Sequence, residues 1–278
     1  MYKRQLRGIL KTKKVGHAGT LDPMATGVLP VFVGQATRAV SFAESGSKEY
    51  VAGLHLGCVT NTQDTSGEVL AQHPVSVTRQ ELEALLPRFT GELMQVPPMY
   101  SAIKINGQKL YELARQGKEV ARPPRPVTIY ELEVLGQDKS GDWLLRILCS
   151  KGTYVRTLCH DIGQALGCGG CMSALRRTCA GLYTEADAHT LEEILAAKEQ
   201  GPAALDALML PVESVFTPLP LLMVEPWVEQ HLYNGCPTSR YPAADGRYRV
   251  RNAAGQFLGL ANINGGVLRV EKLFVERN

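Results

Sequence analysis

The sequence predicts an α+β protein with a small β module at its C-terminal end, and three observations carry that expectation. Strand-like alternation at Tyr50 to Gly57, Val127 to Leu135 and Trp143 to Ser150 is mixed with helical spacing at Val155, Leu158, Ile162 and Leu166. Short apolar runs at 247–250, 257–261 and 267–270 are separated by Gly and Asn turns. A chain of 278 residues is long enough for one sizeable core and a smaller second one.

Composition narrows the class. Apolar residues make up 45% and charged residues 21%, as in an ordinary globular protein. No apolar run approaches the ~20 residues of a membrane helix, and no apolar segment follows the basic start, so neither a membrane span nor a signal peptide is expected. Seven cysteines, an odd number, suit reduced thiols and a cytoplasmic location. Cys168 and Cys171 form a C-x-x-C without a second pair, so structural thiols are expected and no metal. The net charge is only +3, but Lys3, Arg4, Arg7, Lys11, Lys13 and Lys14 crowd the start without an acid among them. That cluster reads either as a solvated terminus or as a phosphate-contacting arm.

The chain is organised around Gly16 to Leu29, G-H-A-G-T-L-D-P-M-A-T-G-V-L. Asp22 is its single carboxylate. Pro23 keeps Asp22 out of the α region, and the flanking glycines permit tight turns. Val28, Leu29, Val31, Phe32 and Val33 read as a buried strand, and 35–44 as a short helix. After the strand at 50–57, Thr60 to Gly67 is a polar loop leading to Val69 and Leu70, a hairpin with a long tip. Asp64 in that loop reads as a turn carboxylate bonded to its own backbone. Thr78 and Glu81 form a capping box for a helix to about Arg88.

Gln95 to Pro126 differs from the rest. It holds five prolines, two tyrosines and the cations Lys104, Lys109, Arg115, Lys118, Arg122 and Arg125. Basic residues interleaved with aromatics suit a flap on a nucleic-acid backbone; a solvated insertion is the plainer alternative. The strands at 127–135 and 143–150 form a hairpin, followed by a helix from Val155 that Gly167 closes. Arg156 lies in the first turn of that helix, against the dipole preference, so a carboxylate partner elsewhere in the chain is expected. Ala174 to Thr178 reads as a short strand with two exposed cations. Thr190 and Glu193 cap a helix that Gly201-Pro202 ends, and Pro211 to Pro226 reads as a linker. Residues alone therefore fit an RNA-modifying enzyme, and equally an RNA-binding module or an unrelated hydrolase.

Taken together, these stretches resemble the TruB family of tRNA pseudouridine synthases. The carriers are G-H-A-G-T-L-D-P-M-A-T-G at 16–27, Lys48-Glu49-Tyr50, Q-V-P-P-M-Y-S-A-I-K from Gln95 with Y-E-L-A-R-Q-G from Tyr111, Lys151 to Arg156, and Leu175-Arg176-Arg177. The resemblance implies a pseudouridine-synthase fold, with a mixed, mostly antiparallel central sheet flanked by helices. It implies a catalytic domain at 1–212 with a thumb insertion at about 95–126, a linker at 213–218 and a PUA-like RNA-binding domain at 219–278. Family members carry a further strand and helix ahead of the Asp22 motif, including a Lys-Pro-x-Gly-x-Ser/Thr-type segment. Here the motif follows Met1 closely, so a shortened start with altered residues 1–5 and no first core strand is expected.

The resemblance also implies roles. Asp22 would be the nucleophile, or the anion beside a developing oxocarbenium, as uridine-55 of the tRNA T loop becomes pseudouridine. Arg156 would hold it ionised. Tyr50 would stack on the uracil and help remove its C5 proton. Leu175 would floor the pocket, Tyr154 would line it, and His17 would position the flipped nucleotide. Lys104, Lys109, Arg176 and Arg177 would contact phosphates while the base leaves its stack. The reaction changes neither oxidation state nor water content, so no cofactor is implied. The expected partner is the tRNA T stem-loop, met by a monomer needing no other protein and no membrane. Two other readings stand beside this one. A tRNA-folding chaperone would bind without isomerising because of the shortened start. A retaining glycosidase would need a second carboxylate roughly 5 Å from Asp22, and the 16–29 stretch offers none.

Overall fold

The computed structural model describes residues 2–275, with side chains from Arg4 onward. Met1, the Lys3 side chain and residues 276–278 lie outside the described residues. Two compact units form: one from residues 2–18, 30–43 and 189–275, the other from 19–29 and 44–188.

The second unit is built on a seven-stranded mixed sheet. Its order is Tyr183–Thr184, Gly170–Ala180, Lys48–Leu56, Trp143–Cys149, Arg125–Gln137 and Gly91–Gln95, all antiparallel. Thr26–Gly27 adds a parallel pair to Gly170–Ala180. Lys48–Leu56 is central because its even-numbered residues are apolar or otherwise buried. Ala52 and Leu54 are fully buried with Leu145 and Ile147 of the neighbouring strand. Period-2 alternation therefore sends one face into a core with Leu158 and Ile162. Those two project from the Val155–Ala165 helix, which lies so close to the sheet that a Cβ at Gly163 would collide with the backbone of Gly169 and Gly170. Strands 125–137 and 143–149 meet in a turn where Asp138 accepts the backbone N–H groups of Ser140 and Asp142 at 2.8 and 3.0 Å. The expected capping box is present: Thr78 accepts from Glu81 N–H, and Glu81 accepts from Thr78 N–H.

The first unit carries the C-terminal β domain. Leu221–Val224 pairs parallel with Gly246–Asn252, which continues antiparallel to Phe257–Asn264 and Val267–Leu273. Val228 and Leu232 of the Pro226–Asn234 helix bury against this sheet. A second cluster joins Phe32, Phe42, Phe216, Phe257 and Phe274, with the Phe42 and Phe216 rings 5.3 Å apart in an edge-to-face pair.

Three sequence expectations need correction. The run from Val28 to Val33 is not one strand: Pro30 interrupts it, and only Val31–Val33 pairs, with Val15–His17. The 211–226 stretch is not a linker. Val212–Phe216 is a 3-10 turn and Leu221–Val224 an edge strand, with Pro218 and Pro220 outside both elements. Phe216 is buried in the aromatic cluster, so the grouping of contacts cuts across a division at 213–218. The basic start contains a helix, Tyr2–Ile9, that buries Leu6 and Ile9; six cations among the first sixteen residues had masked its apolar face.

Candidate active site

Asp22 opens a turn. Its carbonyl accepts the Ala25 N–H at 2.9 Å across Pro23 and Met24, an arrangement that favours Asp at the first position and Pro at the second. Leu21, Met24 and Ala25 pack into the core around it, so the loop is held on both sides of the carboxylate.

Arg177 holds the same loop by its ends. Its Nε donates to the Val28 carbonyl at 2.7 Å and its Nη2 to the Gly19 carbonyl at 3.1 Å, while its own carbonyl accepts the Val28 N–H at 2.8 Å. Gly27 has φ +93°, and a Cβ there would overlap the Arg177 carbonyl, so glycine is what permits this approach. Arg177 is 1% exposed. The expectation of two exposed cations therefore fails at Arg177, which serves the loop from inside and cannot reach a phosphate. Arg176 is exposed and bonded to Glu185 at 2.6 Å. Strand alternation explains the split: adjacent residues face opposite sides.

Asp22 and Arg156 meet. Arg156 Nε donates to Asp22 Oδ2 at 2.8 Å and Nη2 to Oδ1 at 3.2 Å, a two-pronged pair. The arginine side chain is 5% exposed and the aspartate 31%. The carboxylate therefore faces an opening while its counter-charge lies beneath. Two of the three remaining guanidinium hydrogens go to the carbonyls of Thr62 at 3.0 Å and Tyr100 at 2.9 Å. A buried cation whose three nitrogens all donate hydrogen bonds is held in place, which fixes where Asp22 points.

Asp64 is the participant that sequence reasoning undervalued. Its Oδ2 lies 3.7 Å from Arg156 Nη1, so the guanidinium has a carboxylate on either side. Asp64 Oδ1 accepts from the Thr62 hydroxyl at 2.7 Å and from the backbone N–H and hydroxyl of Ser66 at 3.0 and 2.5 Å. The turn bonds anticipated from the sequence are present, and the same carboxylate also serves Arg156. Such an acceptor, filled by donors, is not the free acid a retaining glycosidase needs. The available signal was the density of hydroxyls in Thr60 to Ser66. The loop is clipped to the sheet, Gln63 carbonyl accepting from Met172 N–H and Thr65 N–H donating to Met172 carbonyl, each at 3.0 Å.

Tyr50 and Tyr154 complete the surroundings. Tyr50 is buried on the central strand; burial pushes its phenol up, the Arg177 charge opposes this, and the Asp22 charge adds to it. Tyr154 is likewise pushed up by burial, against the charges of Arg125 and Arg156. Both phenols therefore stay neutral well above neutral pH. Tyr154 is clamped by Gln95, whose amide accepts its N–H at 2.8 Å and donates to its carbonyl at 3.1 Å. Leu175 is buried in the core cluster that includes Tyr50.

Other expected site residues are placed elsewhere. His17 ends the Val15–His17 strand of the first unit. Lys104 and Lys109 lie on a two-stranded hairpin of the 95–126 insertion, and Lys109 donates to the Tyr111 hydroxyl at 3.2 Å. Lys109 and Arg115 both stand over the Tyr111 ring, 5.3 and 5.4 Å from its centre. Lys48 is buried and gives Nζ to the carbonyls of Glu44 and Gly46 at 2.6 Å, which accounts for a lysine ahead of Glu49 and Tyr50. Cys58, Cys149, Cys159, Cys168 and Cys171 are buried, free thiols. Burial pushes Cys149 up to about 11 and Cys171 up to about 12, so both stay protonated. Among the described residues no three His, Cys, Asp or Glu side chains are grouped as a metal site would require.

Comparison with known proteins fits this geometry. Residues 7–155 match the model of the TruB family pseudouridylate synthase N-terminal domain, and 156–217 that of the tRNA pseudouridylate synthase B C-terminal domain. Proteins named tRNA pseudouridine synthase B from Stutzerimonas stutzeri strain A1501 and Azoarcus sp. strain BH72 are each 45% identical. They cover 94% and 96% of this chain, and 86% and 87% of their own lengths are matched. Among solved structures, a Cbf5-Nop10-Gar1 complex gives a TM-score of 0.73 at 26% identity, over 99% of this chain and 80% of the other. An H/ACA RNP bound to a substrate RNA containing 2′-deoxyuridine gives 0.73 at 25% over the same shares. With an aspartate held open to solvent by a buried arginine, both within the matched regions, the chain belongs to the TruB family of pseudouridylate synthases.

Proposed function

We propose that this isomerase acts on tRNA, converting uridine-55 of the T loop to pseudouridine, with Asp22 as its nucleophile. One observation carries the chemistry: a half-open carboxylate pinned in two places by a buried guanidinium. The pair fixes the direction of the carboxylate, which suits attack on, or stabilisation beside, the sugar or base carbon that becomes electron-poor as the glycosidic bond breaks. The names of the curated relatives support tRNA as the substrate.

Roles follow from position. Tyr50, neutral and rigid in the central strand, offers a flat face to the uracil. Leu175 floors the site, and Tyr154, fixed by Gln95, lines it. Lys104, Lys109 and Arg176, the last after release from Glu185, are assigned to phosphate contacts; Arg177 positions the Asp22 loop instead. We assign His17 to nucleotide positioning, 219–278 to PUA-like RNA binding, and the working location to the cytoplasm, where a monomer would meet tRNA. Neither a cofactor nor a resident metal is required by a reaction that only exchanges a C–N bond for a C–C bond.

The test is tritium release from tRNA carrying 5-labelled uridine. Asp22→Asn should bind the transcript as wild type does and lose at least about a thousandfold in turnover. Normal turnover by Asp22→Asn would remove Asp22 from the mechanism. Label retained at position 55 and lost at another uridine would redirect the specificity.

A further inference from the structure

The Tyr2–Ile9 helix and the turn after it gather Arg4, Arg7, Lys11, Lys13 and Lys14, all exposed. Leu6 and Ile9 bury the opposite face. No acidic residue occurs before Asp22. Among the described residues none of the five cations makes an ion pair. Several other exposed or half-buried arginines are neutralised locally: Arg79 by Glu83, Arg122 by Glu119, Arg176 by Glu185 and Arg247 by Glu271. Arg7, Gly8, Lys11, Thr12 and Lys13 line a concavity of about 550 Å³.

The backbone there is arranged at a cost. Thr12 N–H bonds to the Arg7 carbonyl at 3.2 Å, closing the helix with a Schellman turn whose left-handed position is Lys11, at φ +48°. Glycine is the residue such a position favours; here it carries a cation whose side chain lines the concavity. Uncompensated positive charge around a solvent-facing hollow is complementary to a polyanion.

We propose that this basic hollow of the first unit is a second RNA-backbone site, taking ribose-phosphate of the substrate. The inference rests on the reading of the chain as an RNA-modifying enzyme. Bound phosphates would displace condensed counterions, so each cation engaged adds about 0.9 to the slope of log affinity against log salt.

The experiment measures binding of an unmodified tRNA transcript across a salt series. Arg7→Gln, Lys11→Gln and Lys13→Gln together should lower the slope by about 2–3. A control losing three exposed cations elsewhere, Arg88→Gln, Lys139→Gln and Lys198→Gln, should leave it within about 0.5 of wild type. Lys11→Gly separates binding from folding: relief of the left-handed strain should raise the melting temperature by roughly 1–3 °C while RNA binding weakens. Equal slopes for the two triple variants overturn the proposal, as does tighter or unchanged binding by Lys11→Gly. Isomerisation with an unaltered slope overturns this site alone; a wild-type protein that binds no RNA overturns the proposed function with it.

Discussion

At the scale of single residues, the site depends on a sequence of carboxylate, guanidinium and carboxylate. Asp22 and Asp64 flank Arg156, and two carbonyls accept further hydrogen bonds from it. Lysine at 156 would keep the charge and lose the fork, so Arg156→Lys should cost about a hundredfold in kcat, read by single-turnover isomerisation. Asp64→Asn keeps the shape and removes one counter-charge. Arg156 then relies on Asp22 alone, and kcat should fall about 10–100-fold with RNA binding retained. An Asp64→Asn enzyme with full kcat would show that the second carboxylate serves only its own turn. Arg156 announced its need for an acid by sitting where the helix dipole disfavours it, but which acid was not legible from the local sequence. Residues 22, 64 and 156 are brought together only by the sheet.

Among elements, the Gly170–Ala180 strand links the core to the catalytic loop. Its inward Arg177 ties both ends of the 19–28 segment, and its outward Arg176 meets Glu185. Arg177→Met would leave two loop carbonyls without donors and should destabilise the fold by about 2–4 kcal/mol in urea unfolding. It should also lower turnover through a loosened Asp22. Arg176→Met should leave stability within about 0.5 kcal/mol. Sequence reading treated the two as equivalent because both are arginine and adjacent. The 170–180 strand is also longer than expected, since Gly170 to Met172 offer little alternation of their own and pair because Leu56 to Leu54 lie opposite. Capped helices were the most legible elements. Thr78 and Thr190 satisfy backbone donors one turn away, so their signal is contained in four residues, and Thr190→Ala should cost about 1 kcal/mol.

For the whole molecule, acid stability should register in the first unit. Glu213 is 6% exposed. Burial pushes its carboxyl up, but Arg251 and Arg249, at 2.6 and 2.7 Å, outweigh this and hold it below the usual glutamate range. A folded pKa below the unfolded one means the native state binds fewer protons, so this contribution is full above the unfolded value near ~4.3 and fades as pH falls through the folded one. Urea midpoints measured from pH 7 to pH 3 should drop more steeply in wild type than in Glu213→Gln, which should already be weaker at pH 7. Parallel curves would remove Glu213 from the acid transition. The stretch holding Glu213 read as a linker because Pro211, Pro218 and Pro220 dominate its local signal.

The sequence by itself determined the fold class, most strand and helix limits, the Asp22 turn and the family resemblance. Each of these is written within a few residues, as period, cap, turn or ordered motif. Tertiary structure alone decided that Arg156 answers to two carboxylates, that Arg177 looks inward, and that the 211–226 stretch packs as part of a core. Those outcomes depend on which segments lie side by side after the chain has closed loops of tens to more than a hundred residues, and no local pattern encodes the partner at the other end.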